Sequence, residues 1–301
     1  MKQDGRLLDL LYRISVCGLT VFILLVLYNV KRIYWTDQFI IPSASMQPTL
    51  QPGDRVIVDK RILGARIYTS FDFSEGAPLR CRRTAGRRQL RPGDLIVFNH
   101  PMPYRRGEIA FKINYVYAKR VIGTPGDTIA IRGGFYYNSR HDGILGVRSM
   151  QEELAAWPDS LLRDRAGHFM PSFLGMDFPW TIRDAGPLVV PGKGITVKLD
   201  SVHFRIFRPL MAFETGTDWE YIPALQRACN AAGDTISAYT FSGNYYFAGG
   251  DHVTDSNDSR YWGFVPEDFV VGIITRISWS RNLDTGHIDW SRCWKKPELE
   301  K

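Results

Sequence analysis

The stretch INYVYAKRVIGTPGDTIAI, residues 113–131, carries the pattern that decides the architecture. Aromatic and β-branched residues fill it as far as Gly123, and Thr-Pro-Gly-Asp separates that run from a second one, GDTIAI. Such side chains suit a pleated, half-buried surface and Pro-Gly marks a turn, so two strands are predicted. Alternation sorts the first strand into two faces, with Ile113, Tyr115, Tyr117 and Lys119 on one and Asn114, Val116, Ala118 and Arg120 on the other. Lys119 thus projects beside two tyrosines and an isoleucine. Burial among apolar groups penalises the ammonium form and lowers a lysine pKa toward neutrality, where the amine can serve as a base. The competing assignment is a strand-end lysine that snorkels into water.

Further runs of the same composition, RVIVDK, DLIVFN, GITVKLD, HFRIF, NYYFAGG and VVGIITRISW, stand between Gly, Pro and Asp residues and also read as strands. Two segments predict helices. One is Met150 to Arg165; the other is Tyr221 to Ala231, where Ile222, Leu225 and Cys229 recur at helical spacing and Pro223 suits a first turn. The fold class is therefore mainly β: an outer β domain, interrupted between about Arg132 and Ser242 by an α+β insertion and completed by a strand around Val270 to Trp279. No internal repeat is visible.

Ahead of the β region, Ile14 to Val30 reads ISVCGLTVFILLVLYNV, free of charge and closed by Arg13 and by Lys31-Arg32. This is close to the shortest run able to cross a hydrocarbon core of about 30 Å. A cleaved signal peptide and a buried core helix compete with a retained anchor. No small-x-small cleavage pattern follows the basic pair, and Trp35, an interfacial residue type, does; both favour the anchor. A single pass is expected, since no other stretch is long and apolar enough to span. Lys2, Arg6 and Arg13 before the run, against Lys31 and Arg32 after it, favour a cytoplasmic N-terminus.

Composition narrows the function only slightly. The 301 residues carry a formal charge of +7, with a pI near 9.2, which fits anionic lipid and nucleic acid equally. Arg80, Arg82, Arg83, Arg87, Arg88 and Arg91 cluster in a polar loop that either touches lipid headgroups or is simply solvated. No aromatic residues interleave with them as nucleic-acid binding would prefer. Cys17, Cys81, Cys229 and Cys293 contain no close pair that would signal a zinc site or a redox pair. With Cys17 in a membrane, at most one disulfide can form among the others. The six histidines, His100, His141, His168, His203, His252 and His287, show neither metal-ligand nor triad-like grouping.

Directly after the anchor, FIIPSASMQPTLQPGD sets Ser43 and Ser45 between Pro42 and Pro48. In an extended segment residues two apart share a face, so one hydroxyl can attack a carbonyl while the other donates to the developing oxyanion. A plain turn or linker is the alternative, and a serine needs a base before it becomes a nucleophile. Late in the chain, GDHVTDSNDSRYWGFVP, residues 250–266, reads first as turn chemistry. Within it Asp258 and Arg260 are placed to pair and brace the loop, leaving Ser256 free to hydrogen-bond a deprotonated lysine. The spacing does not follow an EF-hand loop.

Taken in order, the apolar span, PSASMQPTL, YAKRVIGTPGD and GD(x)7SRYWGFVP resemble the bacterial type I signal peptidase family, from about Phe39 to Asp127 and from about Tyr245 to Gly272. The resemblance implies an antiparallel β catalytic core and a serine-lysine dyad, with Ser45 as nucleophile and Lys119 as general base. It assigns the oxyanion hole to Ser43 with Ser45, the orienting and bracing roles to Ser256, Asp258 and Arg260, and the pockets for small substrate residues to Ile41, Pro42, Met46, Tyr117 and Ala118. The corresponding division is 1–13 cytoplasmic, 14–34 anchor, 35–131 with 243–301 catalytic core, and 132–242 insertion. The expected substrates are preproteins with signal peptides, cut after small-x-small sites at a phospholipid membrane, without metal, cofactor or nucleic acid. The expected location is the cytoplasmic membrane of a bacterium, with the catalytic domain on the outer or periplasmic face and Trp262 and Phe264 at the bilayer surface. Two rivals share the scaffold: a catalytically silent tethered peptide-binding protein, and a self-cleaving regulator. His252 and Asp255 depart from the usual family pattern, and Asp255 places an extra carboxylate where it would tend to raise the lysine pKa. Oligomeric state is not readable from the sequence.

Overall fold

The charge-free run lies within α1 (Lys2–Tyr34), and the structure, a computed structural model, describes residues 2–105, 107–164 and 180–297. The Asp9–Tyr34 portion of α1 is long and apolar enough to cross a membrane, and its hydrophobic window is unburied. A core helix of a soluble domain would be covered by protein. Here Leu19, Phe22 and Leu24 remain about three-fifths exposed (59%, 63% and 60%), which suits lipid contact.

Beyond the helix, the period-2 runs pair as expected. β1 (Thr36–Ile40), β2 (Asp54–Asp59), β5 (Leu95–Asn99), β6 (Val116–Gly123), β15 (Tyr245–Gly249), β16 (Val265–Pro266) and β17 (Val270–Ser280) build one sheet. Its seven strands run in the order β1-β2-β17-β5-β6-β15-β16, and every neighbouring pair is antiparallel. Strand β5 is buried on both faces: Leu95 and Val97 join Ile41, Met46, Leu50, Val56 and Ile274 in one core cluster, while Ile96 and Phe98 join the larger cluster on the other side. Two cores back to back explain why this strand reads as an unbroken apolar run. Register sets Lys119 of β6 opposite Ile96 and Tyr117 opposite Phe98.

Short strands β3 (Arg66–Tyr68) and β4 (Cys81–Arg83) form a ribbon beside the main sheet. Between β6 and β15 the described residues form three smaller sheets. They comprise β7 (Thr128–Arg132), β8 (Phe135–Asn138) and β9 (Ala185–Val189); β10 (Thr196–Lys198) with β14 (Ala238–Thr240); and β11 (Trp219–Ile222), β12 (Arg227–Asn230) and β13 (Thr235–Ile236).

The helices of this middle region differ from the sequence prediction in three places. Tyr221 to Ala231 is not a helix but the hairpin β11–β12, with Trp219 paired to Asn230 and Ile222 to Arg227. Its helical spacing faces no core, since Leu225 is 58% exposed, and Pro223 to Gln226 make the turn. HFRIF is not a strand but part of α4 (Ser201–Thr215), capped by Asp200, which accepts from the amides of Val202 and His203. Phe204, Phe207, Leu210 and Met211 form its buried stripe, and Gly216 at φ 68° ends it. The segment from Met150 is split into α2 (Arg148–Ala155) and α3 (Asp159–Asp164), with Trp157 and Pro158 at the break. Arg165 lies outside the described residues.

Candidate active site

Ser45 sits in a turn held from both ends. Ile41 donates its amide to the Asp54 carbonyl and accepts from Gly53, each at 2.8 Å, while Met46 and Leu50 are sunk in the smaller core at 1% and 0% exposure. Burial of the residue after the serine therefore fixes where its hydroxyl points. Ser43 Oγ lies 3.3 Å from Ser45 Oγ, and the Ser45 carbonyl accepts from the His252 amide at 3.2 Å. The predicted pair of hydroxyls is brought together.

Lys119 reaches the same point from β6. Its Nζ is 2.7 Å from Ser45 Oγ and 5.6 Å from the centre of the Tyr117 ring, and the residue is 3% exposed. Burial pulls its pKa from 10.5 down to about 8, against the attraction of the Asp258 and Asp251 carboxylates; Asp255 also opposes the shift, last among these carboxylates. The extra carboxylate thus acts in the expected direction, and burial outweighs it.

Two buried ion pairs flank the lysine. Asp258 and Arg260 are both fully buried and meet through Nε and Nη2, each at 2.8 Å. Asp258 also accepts from the Gly250 amide at 2.8 Å and caps α5 (Ser259–Trp262) through the Arg260 amide. Burial alone would raise its pKa, but the Arg260 guanidinium holds it below the ordinary carboxylate range. The second pair, Arg120 with Asp251, closes through Nε and Nη2, each at 2.6 Å. Sequence reasoning assigned no role to it: alternation turns Arg120 away from Lys119, and Asp251 lies 131 residues further on. The only available hint was the Gly-Asp step that opens the late loop.

Ser256 is corrected. Its hydroxyl is buried and makes no hydrogen bond among the described residues, so the expected bond to Lys119 is not formed; the amine is turned to Ser45 instead. Ser256 Oγ lies where a Gly250 side chain would begin, 2.0 Å from an ideal Cβ, which makes this glycine a steric necessity. Trp262 and Phe264 are also corrected. Expected at the bilayer surface, they are 4% and 1% exposed, Trp262 against Phe98 and His100 and Phe264 stacked on Phe207. Buried rings cannot meet lipid. His100 packs behind Tyr117 at 4.6 Å between ring centres, and burial lowers its pKa to about 4, so it stays neutral.

A cleft of about 380 Å³ opens over the serine and the lysine. Ile41, Pro42, Met46, Tyr117 and Ala118 all line it, joined at the rim by Asp255 and Asn257. Apolar walls and the short side chain of Ala118 leave space for small side chains above the Ser45 hydroxyl. Within the arginine-rich loop, Arg83 is bonded inward to the carbonyls of Gly64 and Val270 and Arg88 is paired with Asp94, so neither is a free surface charge.

A serine hydroxyl on a buried lysine amine, mounted on an antiparallel sheet beside an apolar helix, is the arrangement of a membrane-associated peptidase. The sequence matches the family described as signal peptidase, peptidase S26, over residues 14–154 and 221–279, and the chain belongs to that family. It is 26% identical over 268 residues to signal peptidase I of Pseudomonas fluorescens, covering 85% of this chain and 69% of the relative. It is 24% identical over 275 residues to signal peptidase I of Haemophilus influenzae, covering 86% and 67%. Signal peptidase I of Aquifex aeolicus is 26% identical over 262 residues, covering 86% and 81%.

Proposed function

We propose that this chain is a signal peptidase I: a single-pass endopeptidase of the bacterial cytoplasmic membrane that removes signal peptides from exported preproteins on the outer face. Residues 35–131 and 243–301 serve as its catalytic core and 132–242 as an insertion. The observation that carries the proposal is the 2.7 Å separation of Lys119 Nζ and Ser45 Oγ, with the amine buried and its pKa lowered to about 8.

In the proposed reaction, neutral Lys119 accepts the Ser45 proton as Oγ attacks the carbonyl of the last residue of a small-x-small site, and the peptide bond after it breaks to leave an acyl-enzyme. The resulting ammonium gives that proton to the departing amine. Lys119 then activates the water that hydrolyses the ester. The Ser45 amide and the Ser43 hydroxyl hold the oxyanion, and the pairs Asp258–Arg260 and Arg120–Asp251 keep the lysine's surroundings fixed. The membrane helix α1 keeps the cleft near the bilayer, where signal-peptide ends emerge.

Detergent-solubilised full chain, incubated with a preprotein beside the Ser45→Ala and Lys119→Ala variants, tests this directly. Each variant should lose about four orders of magnitude or more in kcat. Cleavage at the unmodified rate by either one sinks the dyad.

A further inference from the structure

Where α1 meets the sheet, a second cavity of about 260 Å³ opens, lined by neither Ser45 nor Lys119. Its walls carry two chemistries: Ile33, Tyr34, Phe71 and Val271 are apolar or aromatic, whereas Lys60 and Arg66 contribute cations. Phe71 stands at the rim, 82% exposed. The cavity is tied to the end of the helix, because Lys60 donates its amide to the Trp35 carbonyl at 2.9 Å and its Nζ to the Arg32 carbonyl at 2.7 Å. Since the Asp9–Tyr34 portion of α1 can cross a bilayer, its last turn marks the interface, the level at which lipid phosphates lie.

Charge in this cavity is unbalanced. One carboxylate, Asp37, is shared by Arg32 at 3.0 Å and Lys60 at 3.4 Å. Arg66 is 9% exposed, and its hydrogen-bond acceptors among the described residues are neutral, Asn99 Oδ1 at 2.9 Å and the carbonyls of Asp268 and Phe269; the Asp268 carboxylate attracts its charge from further off, while the neighbouring Arg83 repels it. Burial pulls both cations below their ordinary pKa values, and the Arg66 charge adds to the shift of Lys60. Desolvated cations that outnumber their carboxylates are relieved by an incoming anion. A small free anion would satisfy the charges but leave Ile33, Phe71 and Val271 wet. A phosphate attached to acyl chains satisfies both.

We propose that this cavity binds the headgroup of an anionic phospholipid, with Lys60 and Arg66 facing the phosphate and Phe71 and Ile33 flanking the first segment of its acyl chains. The site rests on α1 being a membrane anchor and is independent of the serine-lysine chemistry. Bound there, one lipid would fix the angle at which the β domain leans on the bilayer.

Native mass spectrometry of the full chain in detergent, titrated with phosphatidylglycerol, phosphatidylcholine or inorganic phosphate, reads the site. Phosphatidylglycerol should occupy it about tenfold more tightly than phosphatidylcholine, and Lys60→Gln should cut that preference about fivefold. Phe71→Asp, at an exposed position that spares the fold, should do the same by setting a carboxylate at the mouth. Equal affinity for the two lipids, unchanged preference in Phe71→Asp, or displacement of phosphatidylglycerol by millimolar inorganic phosphate would overturn the proposal. Flotation with pure phosphatidylcholine vesicles reports the anchor separately: a chain that floats yet shows no lipid preference by mass spectrometry defeats the site alone, and failure to float defeats the anchor and the site with it.

Discussion

Consider Lys119→Met, which preserves side-chain length and removes the ionisable amine. In the folded chain burial draws the lysine pKa from 10.5 to about 8, a shift worth about 3 kcal/mol between its two protonation states. Because the folded value lies below the unfolded one, the native state is penalised by that full amount at any pH below about 8. The penalty fades as pH rises to 10.5 and is absent above it. Methionine carries no such penalty, and Asp258 and Asp251 keep Arg260 and Arg120 as partners. Against this stands the lost contact with Ser45, about 1 kcal/mol. The inactive variant should therefore be more stable by about 2 kcal/mol at pH 6.5, a melting temperature higher by about 4–8 °C for a domain of this size. Thermal unfolding followed by circular dichroism in detergent at pH 6.5 and pH 11 makes the comparison, and the gap should close or reverse at the higher pH. A variant less stable at pH 6.5, or a gap equal at both pH values, would refute the burial account of the lysine.

Wild-type kcat/KM should climb as pH rises through about 8, the value to which Lys119 is lowered, and Lys119→Arg should stay inactive throughout, because a guanidinium does not titrate in that range. A rate that peaks under acid conditions would exclude Lys119 as the base. Gly250→Ala should abolish cleavage while leaving far-UV circular dichroism almost unchanged, since the added Cβ meets Ser256 Oγ at 2.0 Å and the Ser45 carbonyl oxygen at 2.6 Å; retained activity would mean that the loop gives way freely. Asp258→Asn strands Arg260 in a fully buried site and should cost about 3–5 kcal/mol in denaturant unfolding; an unmoved midpoint would show the pair to be dispensable.

Strands were legible wherever local composition and tertiary environment agreed. VYAKRVIG and VVGIITRISW needed only alternation and turn residues to be placed, and the seven-stranded sheet contains both. HFRIF failed because β-branched and aromatic residues also fill a helix stripe when a cap such as Asp200 starts it, and tertiary burial of Phe204 and Phe207 outweighed propensity. The β11–β12 hairpin failed for the opposite reason: Ile222, Leu225 and Cys229 have helical spacing but no common core to face. At the site, Ser45 and Lys119 were readable because each stands in a long motif. The Arg120–Asp251 pair was not, because nothing local announces a contact across 131 residues. The inward turn of Trp262 was equally hidden, since an aromatic residue in a polar loop suits a membrane surface and a core alike.

Strand β17 lies between β2 and β5 in the sheet. Ser45 belongs to the β1–β2 side of that seam and Lys119 to the β5–β6 side. On the proposed mechanism the nucleophile and its base are therefore translated early, on two parts of the sheet that Val270–Ser280, much later in the chain, lies between. A chain still being made thus carries both halves of a blade without its rivet, and on that mechanism its cutting power would come last.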